Sequence, residues 1–364
     1  MIHRRKRITI SIVAVVLLLA AGAVYLRKEA PPEAARLLPE SDGIVYINLR
    51  ALRAATHFDR HPVPRSPEYQ SFVNATGIDF SRDLDEAAFA LHRMKDPKGP
   101  NGPVAYSDVF IGHFDGRRLA HWLAGVAQST SEYANQIIYD IPVEKRTVRV
   151  VLLGYDIVAV SNTPTAEQIH SMIDRYRTSA LPFAGSTLLS RDYSKIPLLS
   201  FAWGIGHIAL PLGNQGGLRV MGLHIPIPVN ATLIASLSWV GRIHLRVEEI
   251  APSESSAADT AESLQTVLVL LRSLENSPQL PPAQPSQPAA PSAQKHPVQP
   301  APPATPPGPL FDAPTRAFIK SVSVQRHGNR TLVTATVPRA LLDHLVQTPQ
   351  NAGQPSAPQS TKPH

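Results

Sequence analysis

The longest uninterrupted hydrophobic run lies near the N-terminus. The nineteen residues from Ile8 to Leu26 carry no charge, and four consecutive basic residues precede them at positions 4–7. At about 1.5 Å per residue, a helix of this length spans roughly 28 Å, close to the hydrocarbon thickness of a bilayer. The basic flank favours a cytoplasmic N-terminus and export of everything after residue 28. The pattern therefore predicts a single-pass signal-anchor in the inner (cytoplasmic) membrane, with the lipid bilayer as a partner.

A cleaved signal peptide is the alternative. The small residues at positions 21–23 could form a cleavage site. The apolar run is long for a signal peptide, however, and Val24, Tyr25 and Leu26 continue it beyond that site. We therefore favour the uncleaved anchor, with the rest of the chain periplasmic or extracellular.

After residue 42, short alternations of apolar and polar residues predict strands, and apolar residues at 3.6-residue spacing predict the helices between them. The predicted strands are 43–49, 86–93, 106–114, 135–143, 147–153, 156–161, 197–210, 231–239, 242–250, 317–325 and 330–337. The predicted helices are 67–77, 116–127, 163–178, 257–274 and 338–346. This succession predicts an α+β fold of antiparallel sheet with packed helices.

Two stretches share the order strand, turn, strand, X-Pro, helix, namely residues 147–173 and 319–346. The similar order and spacing predict two related modules. The predicted division is a basic tail and anchor at 1–28, a stalk at 29–42, a first module at 43–178, a second module at 179–346 and a disordered tail at 347–364.

A proline-rich tract interrupts the second predicted module. Fourteen of the residues from 278 to 314 are Pro, a density that no packed element tolerates. P-x-x-P spacings such as Pro282 to Pro285 and Pro288 to Pro291 could form a polyproline II ligand for a partner domain. A semi-rigid spacer is the interpretation we favour.

Composition narrows the class of protein. The net charge is +7, but six of the basic residues flank the apolar run, and without them 29 basic residues face 28 acidic ones. The remaining chain therefore lacks the broad positive surface of a nucleic-acid binder. The absence of Cys excludes disulfides, Cys-ligated metal sites and Cys nucleophiles.

The stretch FIGHFDGRRLAHWLAGVA contains the residue types of metal and acid–base sites. Asp115 stands between a predicted strand and a predicted helix, where a carboxylate caps the first turn. His121 lies one turn from Arg117 and Arg118, which makes it a poor metal ligand. The structural interpretation is therefore favoured, and one question stays open: whether His113 meets a carboxylate other than Asp115.

Two further candidates are weaker. His57 and His61 stand four residues apart, as metal ligands do on a helix, but Pro62 follows and a polar surface loop is favoured. The glycine-rich stretch from Gly213 to Gly222 is not a phosphate-binding motif, and a flexible hairpin is favoured, which could present an apolar surface. We therefore assign no catalytic, cofactor-binding or metal-binding residue and expect no cofactor.

The segments LLPESDGIVYINL and FIGHFDGRRL resemble a group of uncharacterised bacterial single-pass envelope proteins with tandem α+β modules. The resemblance implies an anchor and two modules, and nothing about reaction or ligand. The expected function is a membrane-anchored, non-catalytic binding or assembly module at the cell envelope, with an envelope protein as a potential partner. The sequence does not indicate the oligomeric state.

Two other functions remain open. A hydrolase of envelope polymers with dispersed catalytic residues requires His57, His61, His113 or His207 to cluster with a carboxylate in one cleft. A carrier of lipid or another apolar ligand requires a lined cavity beneath the loop from Gly213 to Gly222.

Overall fold

The computed structural model describes residues 22, 30–60, 65–178, 185–207, 217–220, 223–226, 228, 230–275 and 311–341. The helices are α1 (Glu33–Leu37), α2 (Leu49–Thr56), α3 (Pro67–Thr76), α4 (Phe80–Asp83), α5 (Gly116–Val126), α6 (Glu167–Arg177), α7 (Thr187–Asp192), α8 (Glu254–Glu275) and α9 (Ala313–Ser321). The strands of the first half are β1 (Gly43–Asn48), β2 (Leu84–Arg93), β3 (Val104–Gly112), β4 (Ser129–Tyr133), β5 (Gln136–Val143), β6 (Arg146–Leu153) and β7 (Ile157–Ser161). Those of the second half are β8 (Ser200–His207), β9 (Gly217–Val220), β10 (Leu223–Pro226), β11 (Thr232–Val240), β12 (Arg242–Ile250), β13 (Ser323–His327) and β14 (Arg330–Val337).

Twelve of these strands form one antiparallel sheet in the order β13-β14-β12-β11-β8-β1-β2-β3-β7-β6-β5-β4, while β9 and β10 form a separate hairpin. The α+β class with antiparallel sheet and packed helices is therefore confirmed. In the part of the chain that the structure describes, no helix is long and apolar enough to cross a membrane. The predicted anchor at 8–26 lies outside the described residues, apart from Gly22.

The two halves of the sheet meet at the β1–β8 pair. Counted outward from this pair, the strand order is β1-β2-β3-β7-β6-β5-β4 on one side and β8-β11-β12-β14-β13 on the other. In both halves the hairpin that comes last along the chain, β6–β7 or β13–β14, is attached through its second strand, and β5 and β4 extend the first half only. A duplicated module would produce this order, and the duplication stays a prediction.

One face of the sheet carries the main core. Ile44 of β1 and Val109 of β3 are fully buried there with Ile169 and Met172 of α6 and Leu189 of α7. Short helix α1 also packs on this face, and its Ala34, Ala35 and Leu37 are buried with the following Leu38. This burial corrects the predicted stalk at 29–42, because a stalk would leave these apolar side chains in solvent. Pro32 immediately precedes the helix, a position where proline is tolerated.

The predicted strand at 317–325 was also wrong in its first half, which belongs to α9. The side chain of Asp312 accepts a hydrogen bond from the Thr315 backbone N–H at 3.0 Å, and Pro314 occupies the first turn. These two features start a helix. Residues 313 and 314, predicted to end the disordered proline-rich tract, therefore belong to α9, and positions 278–310 of that tract lie outside the described residues.

The second face of the sheet is covered mainly over its outer strands. Leu119 and Leu123 of α5 pack against Tyr139, Val150 and Val158 of β5–β7. At the other side, α8 lies over β12 and β14, where the Thr331 hydroxyl donates to the Ala257 carbonyl at 3.0 Å. Helix α2 closes one end through Leu52, which packs against the buried cluster of Phe201, Ile243 and Val337, as do Ala202 and Leu237.

Candidate binding cleft

Asp85 is the extra residue of a β-bulge at the start of β2. Leu84 pairs with Gly112 and Glu86 pairs with Ile111, so Asp85 has no partner position on β3. A bulge of this kind redirects the side chain of the unpaired residue. The carboxylate of Asp85 therefore lies at the end of the sheet, where the residue is only 8% exposed.

Two arginines from α2 bind this carboxylate. Arg50 donates from Nε to Oδ1 at 3.2 Å and from Nη2 to Oδ2 at 2.6 Å, and Arg53 donates from Nη2 to Oδ1 at 3.0 Å. They stand three residues apart, which places them on one side of the helix. The hydrogen bonds from Arg50 outweigh burial and hold the pKa of Asp85 below its usual range.

The two arginines differ in burial. The side chain of Arg53 is 15% exposed, and its Nη1 also donates to the carbonyls of Leu84 at 2.6 Å and Ser81 at 3.1 Å. The side chain of Arg50 is 70% exposed. Arg53 therefore ties α2 to the sheet, while Arg50 extends from the same carboxylate into solvent.

His113 meets Asp85, which answers the question left open by the sequence. Its Nδ1 lies 3.3 Å from Oδ2 of Asp85, and its side chain is 78% exposed. Asp115 instead caps α5, accepting from the backbone N–H groups of Arg117 and Arg118 at 3.1 Å each. The capping role predicted for Asp115 is confirmed, and the carboxylate partner of His113 comes from β2.

Around these groups lies a polar cleft of about 280 Å³. Burial raises the pKa of Glu86, and its Oε2 has no hydrogen-bond partner among the described residues. The cleft is lined by Asn48, Arg50, Asp85, Glu86, Ile111, Gly112, His113 and Asp156. Asp85 holds one nitrogen of His113 and two nitrogens of Arg50. The remaining N–H groups of these two side chains are therefore held in place as donors, next to the carboxyl groups of the cleft.

The other histidines singled out in the sequence do not join this cleft. His121 is exposed on α5, and His57 ends α2 in the left-handed conformation. His207 lies near Arg191 and Thr232, with each contact at 3.4 Å. His61 and most of the stretch from Gly213 to Gly222 fall outside the described residues. In the described ranges, no group of three His, Asp or Glu residues is arranged to hold a metal ion.

A buried chain of hydroxyl groups was missed by the sequence reasoning. Nε2 of His92 lies 2.9 Å from Oγ of Ser107, which lies 3.1 Å from Oγ of Ser161, and that oxygen lies 2.9 Å from Oγ1 of Thr163. A Ser–His contact is the pairing used in nucleophilic catalysis. Ser107 is 0% exposed, however, so no substrate reaches it. The chain links β2, β3 and β7 to the turn that follows.

Comparisons with known proteins place the chain in no family. No family model matches it, and no curated protein matches it. Three solved structures of TP0453 are similar in fold, with TM-scores of 0.44 for crystal form IV, 0.45 for form III and 0.43 for form I. They are 7–8% identical in sequence and cover 87–88% of this chain and 98–100% of their own. Likeness at this level carries no argument about function.

Proposed function

We propose that the chain is a membrane-tethered, non-catalytic binding module of the bacterial cell envelope. The segment at 8–26 would anchor it in the cytoplasmic membrane and confine the folded part near the outer side of that bilayer. The observation that supports binding is the cleft, in which exposed Arg50 and His113 are held by buried Asp85.

This geometry favours binding because it reduces the entropic cost of recruiting long side chains. An arginine loses rotamer freedom when it orders around a ligand. Arg50 is already held by two hydrogen bonds to Asp85, so much of that loss precedes ligand binding. The fitting ligand is polar, with acceptor oxygens for Arg50 and His113 and donors for the carboxyl groups of Glu86 and Asp156.

One contact that the hydrolase hypothesis requires is present, because His113 lies beside the carboxylate of Asp85 in a cleft. A carboxylate that serves a catalytic His stabilises the imidazolium formed during the reaction. Asp85 is shared with two arginines, which weakens that stabilisation. No hydroxyl or thiol side chain, the nucleophile that a His–Asp pair activates, is among the cleft-lining residues that the structure describes. Binding is therefore the function that the arrangement supports best.

The tether is tested by fractionating cells that express the full-length chain. We expect the native chain to stay with the membranes after alkaline carbonate extraction. A variant with Val15→Arg and Leu18→Arg should move to the soluble fraction, since each arginine at the centre of a spanning helix costs about 2.5–3.5 kcal/mol. The matched control, Val15→Leu with Leu18→Val, should behave like the native chain. Recovery of the native chain in the soluble fraction would contradict the tether.

A further inference from the structure

The middle of the second sheet face is an apolar surface between α5 and α8. We call it the open face and define it by Val45, Phe89, Phe110, Gly204 and Ala235. These residues are neither fully buried nor fully exposed. Helices α5 and α8 pack mainly over the outer strands, α2 packs near one end of the central strands, and the β9–β10 hairpin contacts α8. Phe89 and Phe110 form its aromatic part, with ring centroids 5.8 Å apart at 80°.

Strand registers align one transverse row of positions across this face. The row is apolar in both halves of the sheet except at Asp108. In the first half it runs outward through Val45, Phe89, Asp108, Val160 and Val150. In the second half it runs through Gly204, Ala235, Val247, Val333 and Val324. By strand order, the position equivalent to Asp108 in the second half is Val247.

Among the described residues, no neighbour offsets the cost of burying the Asp108 carboxyl. Its register neighbours are Phe89 on β2 and Val160 on β7, and its Oδ1 is buried without a hydrogen-bond partner in the described part of the chain. Burial alone raises the pKa of this carboxyl to about 7. Buried polar groups almost always have a partner, and an unpaired one is expensive. A ligand that donates to Asp108 would remove this cost.

We propose that the open face binds an apolar amine, with its ammonium group on Asp108 and its apolar part along the transverse row. Charge complementarity selects the amine, because a carboxylate in an apolar surface attracts a cation that can also donate a hydrogen bond. From Asp108 to Gly204 the row crosses three strand spacings, about 14 Å at roughly 4.8 Å each. The apolar part would therefore lie over Phe89 and Val45 and end above Gly204, which has no side chain of its own.

Gly204 offers a variant that fills the far end of this surface. A Cβ at this position would lie 3.5 Å from the Ile44 carbonyl oxygen and 3.6 Å from Cγ2 of Val45, which are ordinary contacts. Gly204→Val should therefore fold and shorten the surface. Asp108→Asn keeps the shape of the side chain and removes its charge.

The test uses the full-length chain in lipid nanodiscs and two matched probes, decylamine and decanoate, whose extended chains are long enough to reach from Asp108 to the Gly204 position, with empty nanodiscs as the reference. Calorimetry at pH 8 should show that the native chain binds the amine at least about 10-fold more tightly than the acid, as expected for a hydrogen bond to a charged group. In Asp108→Asn the preference should fall below about 2-fold. Gly204→Val should weaken binding of the amine.

Three outcomes would overturn the proposal. The first is equal affinity of the native chain for both probes, and the second is an unchanged preference in Asp108→Asn. The third is binding of a lysine-bearing peptide but of neither probe, which would assign the surface to a protein partner. Thermal melts of both variants establish that they are folded. The outcome is independent of the cleft, since Asp108 and Gly204 do not line it.

Discussion

Replacing Asp108 by Asn is expected to remove the contribution of this carboxyl to the pH dependence of the free energy of unfolding between pH 4 and pH 7. In the native chain, burial raises the pKa of Asp108 from 3.8 to about 7. Between these values the folded state holds a proton that the unfolded state has released. Asp108 should therefore lower the stability of the native chain as the pH rises through this window, by at most about 4 kcal/mol.

Urea denaturation of the full-length chain and of Asp108→Asn, at half-unit pH steps, measures this difference. The stability added by the substitution should be small at pH 4 and largest above pH 7, because only the ionised carboxylate is penalised by burial. No described charged group contributes to the shift, since burial is its only cause. The exposed Asp156 provides the control, and Asp156→Asn should add much less stability than Asp108→Asn, because burial does not penalise an exposed carboxylate. A profile in Asp108→Asn parallel to that of the native chain would show that Asp108 is not the group responsible.

Replacing Arg53 by Met is expected to lower the free energy of unfolding by about 3 kcal/mol, because it breaks a buried ion pair and leaves part of a buried charge unpaired. The substitution also removes the donor for the carbonyls of Leu84 and Ser81. Arg50→Met provides a matched control at the same carboxylate. Since Arg50 is largely exposed, its loss should lower the free energy of unfolding much less than the loss of Arg53.

Chemical denaturation of both variants at pH 7 measures the two effects. A similar loss for Arg50→Met and Arg53→Met would contradict the assignment of Arg53 as the structural link and Arg50 as the exposed group. If Arg53→Met lowered the free energy of unfolding by less than about 1 kcal/mol, the Arg53–Asp85 contact would contribute no more than a surface ion pair, which would also contradict the assignment.

The elements with strong periodicity were predictable from the sequence. Strands β12 and β14 were predicted with their observed bounds, because each is a short apolar alternation between turn residues. The ends of α3 were predicted from Ser66, which accepts from the Tyr69 backbone, and from Gly77, which has a φ of 77°. Helix α1 was missed because the prolines around it indicated a linker, whereas its burial depends on contacts with distant strands.

The cleft could not be predicted because its parts are distant in sequence. Asp85 meets arginines 32 and 35 residues away, and the bulge that redirects it appears only when β2 is paired with β3. Asp108 offered a weak local signal. Asp108 and Phe110 stand two residues apart on one face of β3, and this spacing fits a solvent-facing strand face as well as a buried one. Only the strand registers show that Asp108 lies in a row of apolar residues.

The proposal that the cleft binds a ligand in the tethered protein is tested most directly by photo-cross-linking in intact membranes. The photoreactive residue p-benzoylphenylalanine replaces Asp156, which lines the cleft, or its neighbour Tyr155, which is 92% exposed and does not line it. We expect a light-dependent adduct at position 156, detected by intact mass, that disappears when Arg50→Met is added. Absence of an adduct at position 156, or an equal adduct at position 155, would contradict it.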